Sequence, residues 1–262
     1  MTRLRVLTPD DLPACVRLAS DRGWPEEPEK WAFLLRVGTG FGLFDGDELV
    51  GTAIVTRFGD EHAAVSMVLV ASSHGGRGLG RRVVEHALEF AGTPVVSLHA
   101  TSYGKPLYEK LGFRSVGVVT AHVGAFGGTA AGTSRPAEEA DRAELVAVDA
   151  EVFGADRSAM WDELFRFASQ VRVADDGFVA AWRNGPLTMV GPVVAPSAVR
   201  AAELVADVAA GATARVDVRD PALGAWLEAH GVLPRFTADL MVRGAFSGDR
   251  ARLYAPVMQA LG

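Results

Sequence analysis

Residues 74–80 read HGGRGLG, four glycines in seven positions. The preceding run, HAAVSMVLVAS at 62–72, is apolar and strand-like. The following run, LGRRVVEHALEFAG at 79–92, places Leu79, Val83, Val84, Ala87 and Leu88 at helical spacing. Glycine loses the most backbone entropy on folding, so such a cluster implies left-handed angles or a close approach to something. A strand that ends in a glycine-rich turn and starts a helix aims several backbone N–H groups at one spot. The positive end of the helix dipole lies behind them, which makes an anion site, most often for phosphate. Two phosphate loops do not match, although Gly75 and Gly80 have the glycine spacing of the first. The ATP type needs lysine and a hydroxyl where Arg81 and Arg82 stand. The dinucleotide type needs a further glycine at Arg81 or Val83. A third pattern, [RQ]-x-x-G-x-[GA], is met at Gly78 and Gly80.

The surrounding pattern predicts a mixed α/β domain. A short strand and two helices come first. GFGLFDGDELVGTAIVTRF (40–58) alternates and turns at Asp45-Gly46, a strong hairpin signal. The strand before the loop, the helix after it and TPVVSLHA (93–100) form a strand–helix–strand crossover. That crossover implies one parallel pairing in an otherwise antiparallel sheet. A short helix and a last strand carry the first domain to residue 123. GAFGGTAAGTSR (124–135) has the small residues of a linker. The stretch 136–262 repeats the strand, helix, strand, helix, strand order, as a diverged duplicate would.

Eighteen residues beyond the loop begins LHATSYGKPLYEKLGF (98–113), whose Tyr108 lies 30 positions on from Gly78. Together with GGRGLG, it resembles the GNAT superfamily of acyl-CoA-dependent N-acyltransferases over about residues 3–122. The resemblance implies tandem GNAT-like folds, each a central mixed sheet flanked by helices. It also implies acetyl-CoA as co-substrate, with no metal. Its pyrophosphate would lie on the loop Gly75, Gly76, Arg77, Gly78, Leu79, Gly80 and Arg81, and its pantetheine arm along Val68, Leu69 and Val70. By the same resemblance, Tyr108 is the general acid toward the departing thiolate, and a backbone N–H near Leu69 is the oxyanion donor. One departure stands out: Gly75 occupies a position usually held by arginine or glutamine, and Arg77, Arg81 or Arg82 could take over its role. The second half resembles the C-terminal partner domain of two-domain members, in DAEVFGADRSAMWDEL, GPVVAPSAVRAAELV and LEAHGVLPRFTADLMVRG. Its chemistry is missing. No glycines stand in VVAPSAVRAAEL, and Leu227 falls opposite Tyr108. This degenerate copy is expected to complete an acceptor pocket or to support a homodimer.

The reaction expected is direct attack of a primary amine on acetyl-CoA, the amine belonging to a small molecule or a peptide. The alternative is a catalytically silent acyl-CoA-binding sensor. Trp24, Trp31 and Phe41 are candidates for the acceptor pocket. Glu61, His62 and His99 are candidates for taking the amine proton. Acids at Asp21, Glu26, Glu27, Glu29, Asp45 and Asp47 could draw in a cationic amine. The formal charge of −6, without a basic cluster, argues against a nucleic-acid partner. No apolar run reaches the roughly 20 residues of a membrane span. The single cysteine, Cys15, allows no internal disulfide, and the expected location is the cytoplasm.

Overall fold

The computed structural model describes residues 2–262. The first half runs β1 (Arg3–Val6), α1 (Leu12–Asp21), α2 (Pro28–Val37), β2 (Thr39–Asp45), β3 (Glu48–Phe58), β4 (His62–Val70), α3 (Leu79–Ala91), β5 (Val95–Ala100), α4 (Lys105–Lys110) and β6 (Arg114–Ala125). The second half keeps that order. Its elements are β7 (Arg135–Pro136), α5 (Arg142–Phe153), α6 (Ser158–Phe167), β8 (Gln170–Ala174), β9 (Gly177–Asn184), β10 (Leu187–Val194), α7 (Ala198–Ala209), β11 (Thr213–Val218), α8 (Pro221–Ala229) and β12 (Leu233–Arg243). A short β13 (Leu253–Ala255) and a 3-10 turn at Gln259–Leu261 follow. All thirteen strands join one mixed sheet flanked by helices. Local sequence explains several joints. Gly46, at φ +62°, closes the turn between β2 and β3. Val83, Val84 and Ala87 bury one stripe of α3, and Gly92 ends that helix in the left-handed region.

The sheet order is β1-β2-β3-β4-β5-β12-β6-β11-β10-β9-β8-β7. The last strand of each half has crossed over. β12 pairs with β5 through Asp239–Arg243, and β6 lies between β12 and β11. The division at 123 and 136 therefore describes the chain and not the sheet, because each half finishes its sheet with the other's strand. The linker is also shorter than 124–135, since β6 continues to Ala125 and β7 begins at Arg135. The small residues between are held in place. The Asp207 carboxylate accepts from the backbone N–H groups of Gly132 at 2.6 Å and Ser134 at 2.9 Å. The halves also share apolar packing. Phe33 of α2 stacks on Phe167 of α6 at 4.5 Å, and one core cluster runs from Leu7 through Phe153 and Trp161 to Leu261.

The two copies differ where a parallel strand pair opens. β4 and β5 pair in parallel only over His62–Ala64 and Val95–Ser97, then diverge. β10 and β11 pair over Leu187–Val190 and Thr213–Val216, and β13 then lies against the far end of β10. The first opening remains a groove, whereas the second is filled by the chain itself.

Candidate active site

The groove between β4 and β5, about 560 Å³, is lined by Val65–Val70, by the glycine loop and by Tyr108. A bulge shapes its strand wall. Ile54 faces Ser66 and Thr52 faces Leu69, so one residue of β3 opposes two of β4. Met67 stands at φ +49°, an uncommon region for a side-chain-bearing residue, and its carbonyl accepts from Thr52 Oγ1 at 2.8 Å. Leu69 buries its side chain, while Val68 and Val70 are half-buried; all three line the groove.

The loop begins with a 3-10 turn at Ser72–His74. Gly76 and Gly78 take φ +73° and +74°, and a Cβ at either would meet nothing within 4 Å. Packing does not demand glycine there; the backbone angle does, and the empty space leaves room for a ligand against the main chain. Gly78 caps α3 without a side-chain bond, so the first amides of a 13-residue helix stay open. The matching helix of the second copy is closed, because Ser197 accepts from the Arg200 N–H. Asp21 pins the loop, accepting from Ser72 Oγ and Ser72 N–H at 2.7 Å each. The Ser72 hydroxyl and amide hold that carboxyl below the usual carboxylate range.

Sequence reasoning misplaced the loop's cations. Arg77 donates to the Ser73 carbonyl at 3.3 Å, Arg81 pairs with Glu85 at 2.8 Å, and Arg82 reaches Thr2. None of the three lines the groove, whereas Arg22, at the end of α1, does. Only the packing of α1 beside the loop reveals Arg22.

Tyr108 sits on α4 with its ring 6.0 Å from that of Phe113. Its hydroxyl makes no hydrogen bond to another described residue. Burial pushes its pKa up to about 12, so it remains a proton donor at neutral pH. His99 lies at the end of β5, with Nδ1 2.7 Å from the Gln259 backbone carbonyl. A carbonyl can only accept, so Nδ1 carries the proton and Nε2 keeps its lone pair. Burial holds the ring neutral, with a pKa down to about 4. A second cavity of about 440 Å³ shares Trp24, Ser66, Met67 and His99 with the groove and is closed by Arg215, Phe236 and Gln259 of the second half.

Glu61 and His62 belong elsewhere. Both lie at the paired end of β4, away from its opening, and neither lines either cavity. His62 is buried, 2.8 Å from Ser97 Oγ, and stacks on Phe153 at 5.0 Å. Trp31 and Phe41 are core residues, 0% and 3% exposed. Burial pushes the His62 pKa down to about 3, and Arg250 and Arg157 act in the same direction. Its folded value lies below the ordinary 6.5, so the unfolded chain binds the extra proton. His62 thus contributes stability present above pH 6.5 and lost as the pH falls toward 3, by up to about 1.4 kcal/mol per pH unit. Melting temperature is expected to fall through that window, and His62→Gln to flatten the decline. Equal slopes in both proteins would acquit His62.

Residues 8–113 match the Acetyltransferase (GNAT) family, and residues 145–255 match an Acetyltransferase (GNAT) domain. The chain belongs to the GNAT acetyltransferase family. It carries two GNAT domains, of which the first holds the open loop. The uncharacterized N-acetyltransferase YitH of Bacillus subtilis (strain 168) is 27% identical over 94% of both chains. A protein from Pyrococcus horikoshii, provisionally named an acetyltransferase, shares the fold with a TM-score of 0.88 at 20% identity, over 100% of this chain and 96% of that one. A GCN5-related N-acetyltransferase from Sphaerobacter thermophilus shares it at 0.66 and 16% identity, over 94% and 96%.

Proposed function

We propose that this GNAT protein moves an acetyl group from acetyl-CoA to a primary amine, using the first-half groove. The observation that carries the reading is the single groove lined both by the open amides of α3 and by Tyr108. The fit to the coenzyme rests on Gly76 and Gly78, where any side chain would project into the space a pyrophosphate needs. Arg22 adds a positive charge on the same wall. Acetyl-CoA supplies the thioester whose acetyl carbon the amine attacks.

The chain's own residues then account for the proton movements. The His99 Nε2 lone pair accepts an amine N–H and takes the proton as the nitrogen gains positive charge. The N–C bond forms while the C–S bond breaks, and Tyr108 gives its proton to the sulfur. The two side chains recover their resting protonation through solvent. A backbone N–H of β4 near Leu69 donates to the carbonyl oxygen as that oxygen gains charge. Alignment of the reactants can itself supply on the order of 7 kcal/mol or more.

Calorimetry is expected to give one acetyl-CoA site per chain, because β13 fills the second opening. Two equivalent sites, or none, would reject this. Gly78→Glu is expected to abolish binding by setting a charge against the phosphates. Gly78→Ala, with the same left-handed strain and no charge, separates strain from repulsion. Acetyl-CoA binding without transfer to any amine would instead favour the silent sensor.

A further inference from the structure

The second cavity carries unusual polar atoms. Ser66 and Gln259 both line it, and each buries just behind the wall a polar atom, Ser66 Oγ and Gln259 Nε2, that has no hydrogen-bond partner. Ser66 is 8% exposed. Buried polar groups are normally satisfied, so two orphans in the wall of one small cavity point to a ligand toward which these side chains turn. Gln259 Nε2 can only donate, and the Ser66 hydroxyl can also donate. Arg215 spends Nε and Nη2 on Asp217 at 3.0 and 3.1 Å, while Nη1 has no partner among the described residues. Its guanidinium lies 4.9 Å from the centre of the Phe236 ring.

The only carboxylate on the cavity wall is that of Glu27, and it is engaged. It accepts from Lys30 Nζ at 2.7 Å and from Asn184 Nδ2 at 2.8 Å. Of the other acids expected to draw in a cation, Asp21 is used on Ser72 and Glu26 on Ser20, and neither they nor Glu29, Asp45 and Asp47 line the cavity. A second ammonium on the acceptor would find no counter-charge. The wall instead presents donors toward an anion, the His99 Nε2 acceptor toward an amine, and apolar surface from Trp24, Met67 and Phe236.

We infer that the acceptor is an amino acid with an apolar side chain, its carboxylate held by Arg215 and Gln259 of the second half and its amine presented to His99. This rests on the acetyl-transfer reading, and the proton and bond changes are those given there.

The test measures coenzyme A release from acetyl-CoA with phenylalanine, leucine and methionine. These are set against phenethylamine, spermidine and glucosamine. The amino acids are expected to exceed phenethylamine in kcat/KM by about tenfold to a hundredfold, the usual worth of a hydrogen-bonded charge. Arg215→Gln is expected to remove most of that margin, lowering amino acid turnover far more than phenethylamine turnover, and Arg215→Lys to restore part of it. Gln259→Leu removes a carboxamide whose Nε2 has no protein partner and guards against misfolding of the arginine variant; it too should lower amino acid turnover selectively. Preference for spermidine or glucosamine, or equal losses on phenylalanine and phenethylamine, would overturn the acceptor and leave acetyl transfer standing. No turnover with any amine would overturn both.

Discussion

A fragment ending at Val123 is expected to fail to fold cooperatively. In the intact chain β6 pairs only with β12 and β11, both supplied by the second half. Cutting there leaves β6 with no partner and bares the β5 edge that β12 covers. Unpaired, apolar strand edges promote aggregation. The fragment also loses Phe153, Trp161 and Met241 from the shared core. Deleting one large core side chain costs about 2–5 kcal/mol, and a whole domain has about 5–15 kcal/mol in reserve. Removing several such side chains with two strands therefore exceeds the total. Soluble yield and a thermal melt followed by circular dichroism check this. A monomeric fragment with a cooperative melt and full turnover would show that β6 can take the place of β12 beside β5, and the exchange of strands would not be essential.

Tyr108→Phe is expected to lower kcat by about 100-fold to 10,000-fold, the usual contribution of a general acid. Acetyl-CoA affinity should change by no more than a few fold. The ring and its contact with Phe113 survive the substitution, and the lost hydroxyl has no protein partner to strand. Stability should accordingly stay near that of the parent. A pKa of about 12 also means that activity should not fall through tyrosine ionisation at any ordinary assay pH. Steady-state kinetics beside calorimetry separates the two effects. An unchanged kcat would leave Tyr108 as a packing residue.

What the sequence determined by itself is local and periodic. Apolar spacing marked α3, the alternation around Asp45-Gly46 marked the hairpin, and the crossover implied the parallel pairing of β4 with β5. Gly76 and Gly78 were legible because left-handed angles tie glycine to one position in the chain. Tyr108 stands out in the sequence because its neighbours repeat a known pattern at short range, and in the structure it lies on the groove wall. The missing glycines and Leu227 predicted no second loop; in the structure Ser197 caps the matching helix and Leu227 is buried. Only the tertiary structure decided the rest. The exchange of β6 and β12 depends on pairings more than a hundred residues apart, and no local signal fixes which edge a strand joins. Arg77 stands in the loop and Arg81 and Arg82 just after it, yet Arg77 turns back to the Ser73 carbonyl and Arg81 and Arg82 point away along α3, while Arg22 arrives from α1. Glu61 and His62 lie on the right strand at its wrong end, because β4 opens only beyond Ala64. Gln259 reaches His99 across 160 positions, so the tautomer of that ring, and with it any role in moving a proton, was set by a contact that exists only once both halves have folded together.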